Sequence, residues 1–337
     1  YINRVFITDK CDALIPSYLR FIKGLVDTQD IDLNVSREML QNNPAVAKIS
    51  KSLVGKILRE LKKVSEKNAD GYKSFWKEYG AVLKEGLYED AERKEALLDL
   101  CRFSTNENDD PISLSGYVEK MPEKQKDIYY ISAETKDQAL ASPHLEGFKS
   151  KKIPVLIMTD AIDQFWLPMV GSFKEKKFTS ITQGQINLDD LDEKNKDKKK
   201  DDKNEKEKKD KEYVDLVAQL KVVLGDQVKD IRLSSKLTDS PVCLVADEGD
   251  MDIAMEQLMA QRDTNYKGAP RILEINGDHS LIKNMKSLLS KKENNDLVSD
   301  AGTLLFEQAR LMEGKMPADP AQFSKIMNQF LLKAIPN

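Results

Sequence analysis

Cysteine and histidine are scarce: 337 residues hold only Cys11, Cys101, Cys243, His144 and His279. The cysteines are odd in number and form no Cys-x-x-Cys pair, so they read as reduced thiols of a reducing compartment and not as a disulfide framework. Two histidines far apart in sequence, with no paired cysteines, exclude a metal site, and each histidine adjoins a turn or cap that suits a structural role. There is no Walker glycine loop, dinucleotide fingerprint, His-Glu-x-x-His or nucleophile elbow, so no self-contained catalytic centre is expected. No apolar run approaches the roughly 18 residues needed to cross a bilayer and no signal peptide opens the chain, which predicts a soluble, cytoplasmic protein with no membrane partner. An excess of one charge is also missing: 53 basic residues stand against 57 acidic ones. The net charge of -4 argues against nucleic acid as a partner of the whole chain.

What is abundant is charge of both signs, 33% of residues, above the roughly 25% usual for soluble proteins. It is densest in residues 189–212, a run of 11 acids and 10 lysines broken only by Leu191, Asn195 and Asn204. Nothing there can bury a core, so the run is a solvated helix or a disordered linker. The length calls for two to four domains. Tyr1 is not a methionine, and Ile2, Val5, Phe6 and Ile7 read as a buried strand without lead-in, which predicts a fragment of a longer protein.

Periodicity gives the fold class as α/β, in the α+β sense. An apolar helix is expected around Leu19, Phe21, Ile22 and Leu25. Asn43-Pro44 is a cap with a first-turn proline, and Val46, Ile49, Leu53, Ile57, Leu61 and Val64 follow at three- and four-residue steps, predicting a long amphipathic helix. Residues 70–103 are again helical in period. From about 105 to 188, Ile128-Tyr129-Tyr130-Ile131 and Val155-Leu156-Ile157-Met158 read as short strands buried under helices. Beyond the charged run a helix at Leu216–Leu224 should end at Gly225, with strands at 228–233, 242–246 and 272–275 and a methionine-rich helix from about Met251. Two amphipathic helices close the chain, one through Leu297, Ala301, Leu304, Leu305, Ala309 and Met312, the other through Phe323, Ile326, Met327, Phe330 and Leu331.

One residue breaks a local rule. In Asp32-Leu33-Asn34-Val35-Ser36-Arg37-Glu38-Met39-Leu40-Gln41 a helix should open at Asn34 or Ser36, yet Arg37 puts a cation where the macrodipole favours acids. Together with Tyr1–Ile7 and Tyr18–Gly24, this stretch resembles the middle domain of the ninety-kilodalton heat-shock protein chaperones. The runs Tyr117–Pro122, Gln125–Ile131, Ser142–Glu146 and Ile162–Phe165 resemble further middle-domain segments in the same order. The last 125 residues are similar to the C-terminal domain of the family, especially its bacterial type. Lys333-Ala334-Ile335-Pro336-Asn337 lacks the acidic tail of the eukaryotic cytosolic members, which leaves co-chaperone partners open and favours a bacterial or organellar member.

The resemblance implies an organisation and a function. Residues 1–64 are expected to be the remainder of a large α/β/α middle subdomain, 65–104 a helical connector and 105–188 a small α/β/α subdomain. The charged linker at 189–212 then leads to a mixed α/β dimerisation domain at 213–337 that ends in the dimerising helix pair. The whole protein would be an ATP-dependent homodimeric clamp that binds partly folded client proteins, with ATP and magnesium held mainly by an N-terminal domain outside this chain. Arg37, helped by Gln41, would touch the terminal phosphate in trans, since an arginine fork suits phosphate and stays charged. Alone, the chain should not hydrolyse ATP. Met251, Met255, Leu258 and Met259 read by themselves as a core face, although methionine also makes an adaptable binding surface. In the family the matching helix contacts client, and Phe165, with its neighbour Trp166, matches an aromatic facing the same cleft; core packing is the alternative for both. Leu297, Ala301, Leu304, Leu305 and Met312, with Phe323, Ile326, Met327, Phe330 and Leu331, would form the dimer contact. A non-catalytic dimeric protein-binding scaffold is the alternative function.

Overall fold

The computed structural model describes residues 1–31, 40, 43–108, 110–191, 199–263, 266, 268–289 and 295–335. The chain divides into two compact units: Tyr1–Ser104, Asn108–Lys120 and Asp160–Phe178 form the first, and Thr105–Glu107, Met121–Thr159 and Thr179–Asn337 the second.

The first unit is built on helices α1 (Pro44–Lys67), α2 (Ala69–Glu89) and α3 (Lys94–Leu100). Asn43 caps α1 by accepting from Ala45 N–H, and Pro44 occupies the first turn, where its missing N–H costs nothing. Asn68 joins two helices by itself. Its N–H closes α1 on the Val64 carbonyl, and its side chain opens α2 by accepting from Gly71 N–H. Helix α2 buries Tyr72, Leu83 and Leu87. Gly86 lies against Tyr18 so closely that a Cβ there would come within 2.8 Å of its ring. Strand β1 (Arg102–Thr105) pairs antiparallel with β2 (Ile112–Ser113), and α4 (Leu114–Lys120) follows. Further on come α7 (Asp163–Val170) and the antiparallel pair β5 (Ser172–Phe173) and β6 (Lys176–Ser180).

Two expectations for this unit are overturned. The segment Ile2–Ile7 is not a buried strand: Asn3 and Arg4 take positive φ, turn the chain back so that Ile2 N–H reaches the Val5 carbonyl, and leave Val5 and Phe6 exposed. Around Leu19 only one 3-10 turn forms, Ser17–Leu19; Tyr18 and Leu19 are buried while Leu25 is exposed.

In the second unit, β3 (Ile128–Ser132) and β4 (Leu156–Met158) are parallel, and α5 (Lys136–Leu140) and α6 (Glu146–Ser150) lie between them in sequence. Tyr129, Ile131, Leu145, Phe148, Ile157 and Ile181 share one core there. Helix α8 (Lys199–Leu224) starts inside the charged run and continues into a buried face of Tyr213, Leu216, Leu220 and Leu224. Gly225, at φ +50°, ends it. Strand β9 (Arg271–Ile275) is central, parallel to β7 (Val228–Leu233) and antiparallel to β8 (Val242–Val245), and all five of its residues are buried. Helices α9 (Ile253–Arg262), α10 (Ser280–Leu289), α11 (Asn295–Met312) and α12 (Pro320–Ala334) complete the unit. Met251 precedes α9 and is not part of it, because Asp252 is the cap, accepting from Ala254 N–H.

Candidate functional site

Arg37 and Gln41 lie outside the described residues. Their neighbour Leu40 is buried with Ile2, Ile31 and Val46, and its carbonyl accepts from Asn43 N–H, just before α1.

The aromatic pair of α7 separates into two roles. Trp166 is 0% exposed; its Nε1–H donates to Asp163 Oδ1 at 2.7 Å, and its ring lies 5.5 Å from that of Phe178 and 6.2 Å from that of Phe103. It is core, and the expectation of a surface contact at Trp166 is withdrawn. Helical geometry turns the preceding residue about 100° away, and Phe165 is half-buried, edge-on to the exposed Tyr88. Beneath Trp166 sits a buried lysine that periodicity did not reveal. Lys84 of α2, 3% exposed, places Nζ 2.6 Å from Asp163 and 2.6 Å from Asp160. Burial opposes the charge on Lys84, but the two carboxylates outweigh it and raise its pKa. Cys101, also buried, has its thiol pushed up to about 12 by desolvation and is inert as a nucleophile near neutral pH.

Helix α9 is pinned along one side. Asp252 accepts from Ser180 and Thr182 hydroxyls, Glu256 pairs with Arg271 and accepts from Ala269 N–H, and Gln257 Nε2 donates to the Glu313 carbonyl at 2.7 Å. Gly268 is required beside it, since its φ is +67° and a Cβ would press on the Glu256 carboxylate. The other side carries Met255, Leu258 and Met259, all half-buried, with the exposed Met251 ahead of the helix. The four residues therefore do not form a closed core face.

The terminal helices divide in the same way. Ala301, Leu305 and Ile326 are buried within the unit, and Leu305 and Ala301 join Leu220 and Phe306 in its core. Leu297, Leu304, Phe323 and Phe330 are half-buried. Met312, Met327 and Leu331 are exposed, and so are Leu332, at 75%, and Ile335, which the periodicity of α12 did not single out.

A carboxylate tie was also missed. Glu146, at the start of α6, accepts from the backbone N–H groups of Thr238, Asp239 and Ser240 and from the Ser240 hydroxyl. Burial would raise its pKa, but these donors outweigh burial and hold it below the usual range. Only its position at a helix start hinted at this in the sequence. Among the described residues no group of three or more His, Cys, Asp or Glu could hold a metal ion, and no helix is long and apolar enough to cross a membrane.

The Hsp90 protein family model matches residues 1–336. The chain belongs to the Hsp90 family. It is 44% identical over 337 residues to the chaperone protein HtpG of Roseobacter denitrificans, covering 99% of this chain and 54% of that protein. HtpG of Paramagnetospirillum magneticum is 44% identical over 335 residues, with 99% and 53% covered, and HtpG of Streptomyces coelicolor 40% over 328, with 97% and 50% covered. The chain thus spans about half the length of the curated relatives it matches. Among the residues singled out from the sequence, Met251, Met312, Met327 and Leu331 are exposed, and Met255, Leu258 and Met259 are half-buried.

Proposed function

We propose that this chain is the middle and C-terminal part of an Hsp90-type molecular chaperone that works as a homodimer on partly folded proteins. The observation that carries the reading is the outer side of α12. Met327, Leu331, Leu332 and Ile335 present apolar surface to solvent on a helix whose opposite residue, Ile326, is already buried. A second copy of the same helix pair would cover it and form a four-helix bundle burying at least about 1,200 Å². Clients would be held by the half-buried Met255, Leu258 and Met259 with Met251, and by Phe165, where re-packing methionines accept varied sequences. ATP and magnesium would be bound mainly by an N-terminal domain outside this chain. Arg37, with Gln41, would be delivered to the terminal phosphate by that domain's closure, since phosphoryl transfer gains most from positive charge placed against the phosphate oxygens.

Light scattering together with suppression of aggregation of a thermally unfolding test protein tests the reading. The chain should be a dimer that suppresses aggregation, and Leu331→Glu with Leu332→Glu should give a folded monomer. Leu305 is unsuitable for this purpose because it is core. A monomeric wild-type chain without effect on aggregation refutes the proposal.

A further inference from the structure

From Thr179 on the chain belongs to the second unit, and after β6 it continues as a strap, Ile181–Ile186, laid beside Ala246 just past β8. Ile181 N–H donates to the Tyr130 carbonyl of β3 at 2.9 Å. One residue later the strap changes partner: Ala246 N–H donates to the Thr182 carbonyl and Gly184 N–H to the Ala246 carbonyl, a parallel bridge at Gln183. Side chains from β7 and the residues after it hold strap carbonyls, with Lys236 Nζ on Ile181 at 2.8 Å, Arg232 Nη2 on Gly184 at 2.9 Å and Ser235 Oγ on Ile186 at 2.9 Å. The strap is therefore a fixed piece of backbone, gripped first by β3 and then by the C-terminal sheet.

Polar side chains at its start reach the beginning of α9. The Ser180 and Thr182 hydroxyls both donate to Asp252 Oδ2, the second at 2.9 Å, while Asp252 Oδ1 accepts from Ala254 N–H at 2.9 Å and so caps the helix, whose first turn is closed by Glu256 N–H on the Asp252 carbonyl. One carboxylate thus divides its two oxygens between the strap and the helix. Gln183 Nε2 donates to the Asp250 carbonyl at 2.6 Å, in the loop that leads to the cap. Ser180 and Thr182 are 4% and 6% exposed. Alanine and valine would be buried there at no polar cost, whereas hydroxyls need the acceptor that Asp252 supplies, and a charged acceptor makes the bond a strong one. At the far end of α9, Gln261 Nε2 donates to Glu134 Oε1 at 3.2 Å, two residues beyond β3. Both ends of the helix are therefore attached on the β3 side of the unit, and between them Glu256 and Gln257 hold it to Arg271 of β9 and to Glu313 just past α11.

We propose that Ser180 and Thr182 are positioning residues for α9: acting through the Asp252 carboxylate, they set from the β3 side of the unit where the helix begins, and hence how Met255, Leu258 and Met259 are presented. That these three residues meet client protein rests on the function proposed above; the positioning of the helix does not.

Amide exchange and methionine methyl resonances of the intact chain, with binding of a partly unfolded test protein measured separately, test it. Ser180→Ala with Thr182→Val should speed exchange at Ala254 and Glu256 about tenfold or more, as expected for lost hydrogen bonds to a charged acceptor. The same variant should shift the Met255 and Met259 methyls and leave the Leu273 amide in β9 and the methyl of Met285, a buried core residue, unchanged. Thr182→Ser, which keeps the hydroxyl, should retain wild-type exchange at Ala254, whereas Thr182→Val alone should not. Gln183→Leu, at a half-buried side chain, should speed exchange at Asp250 and Ala254 in the same sense and decides the matter if the double variant does not fold. Affinity for the test protein should fall several-fold in the double variant, because a loosened helix has to be ordered on binding. A wild-type chain that binds no test protein refutes the client reading and leaves the exchange rates to decide the positioning. Unchanged exchange at Ala254, a rise matched at Leu273, or unchanged affinity in a chain that does bind overturns the proposal.

Discussion

Replacing Lys84 by methionine keeps the length of the side chain and removes its charge. Asp163, 0% exposed, then keeps only the Trp166 Nε1–H and the Asp160 N–H as donors. Breaking a buried ion pair from one side costs about 3–5 kcal/mol. An upper bound follows from the escape open to Asp163, which can take a proton: neutralising a carboxyl of ordinary pKa about 3.9 near pH 7 costs about 4 kcal/mol. Lys84→Met should therefore destabilise the first unit by about 3–4 kcal/mol near neutral pH. The same bound gives the pH dependence. In the variant a protonated Asp163 has a folded-state pKa raised far above its unfolded value, so stability is present at low pH and lost as pH rises. The deficit relative to wild type should shrink by about 1.4 kcal/mol for each unit below pH 7, down to the ordinary carboxylate range. Urea unfolding followed by Trp166 fluorescence, in a Trp76→Phe background, reads the unit that contains the pair. A deficit below about 1 kcal/mol, or one independent of pH, would show that the lysine is not compensating a buried charge.

Glu146→Gln should lose the charge-assisted acceptance of three backbone N–H groups, destabilising the tie to residues 238–240 by about 1–3 kcal/mol and speeding their amide exchange. Because the Glu146 pKa is depressed on folding, its contribution is present above the ordinary carboxylate range and is lost as pH falls through the depressed value, which exchange at decreasing pH will follow. Met255→Ser with Met259→Ser should weaken binding of a partly unfolded protein, by roughly 25 cal/mol per Å² of apolar area removed, and leave the proposed dimer unaffected; a large fall in melting temperature at unchanged affinity instead places the pair in the core. On the proposed reading, Arg37→Ala in a protein that carries the proposed N-terminal nucleotide domain should slow ATP hydrolysis by up to about 10³-fold with nucleotide binding nearly intact. A wild-type turnover rate there removes Arg37 from the catalytic machinery.

Regular elements were legible where periodicity and punctuation agreed. Gly225 ends α8, β7 is Val228–Leu233, and Asn43-Pro44 opens α1, because cap chemistry and apolar spacing are local properties of the chain. Ile2–Ile7 misled because an apolar run is equally compatible with a turn, and the positive φ of Asn3 and Arg4 is set by neighbours that periodicity does not see. Trp166 and Phe165 are adjacent in sequence and differ only in which side of α7 meets the core. Lys84 and Glu146 were invisible for a different reason: their partners are 79 and more than 90 residues away, and a charged residue at a helix position reads as solvated until its long-range neighbours are placed.

The single-residue joint at Asn68 has a mechanical consequence. Helices of 24 and 21 residues meet there through one pair of torsions, φ -139° and ψ 77°. With a rise of 1.5 Å per residue, α2 is a lever arm of about 30 Å, so a 10° change in one torsion displaces its far end by about 5 Å. No loop is available to take up such a swing. The stiffness of the arm therefore resides in what grips it sideways, the Tyr72 hydroxyl on the Leu100 carbonyl and the salt-bridged Lys84, and loosening either grip should be felt most at the distal end, around Leu87.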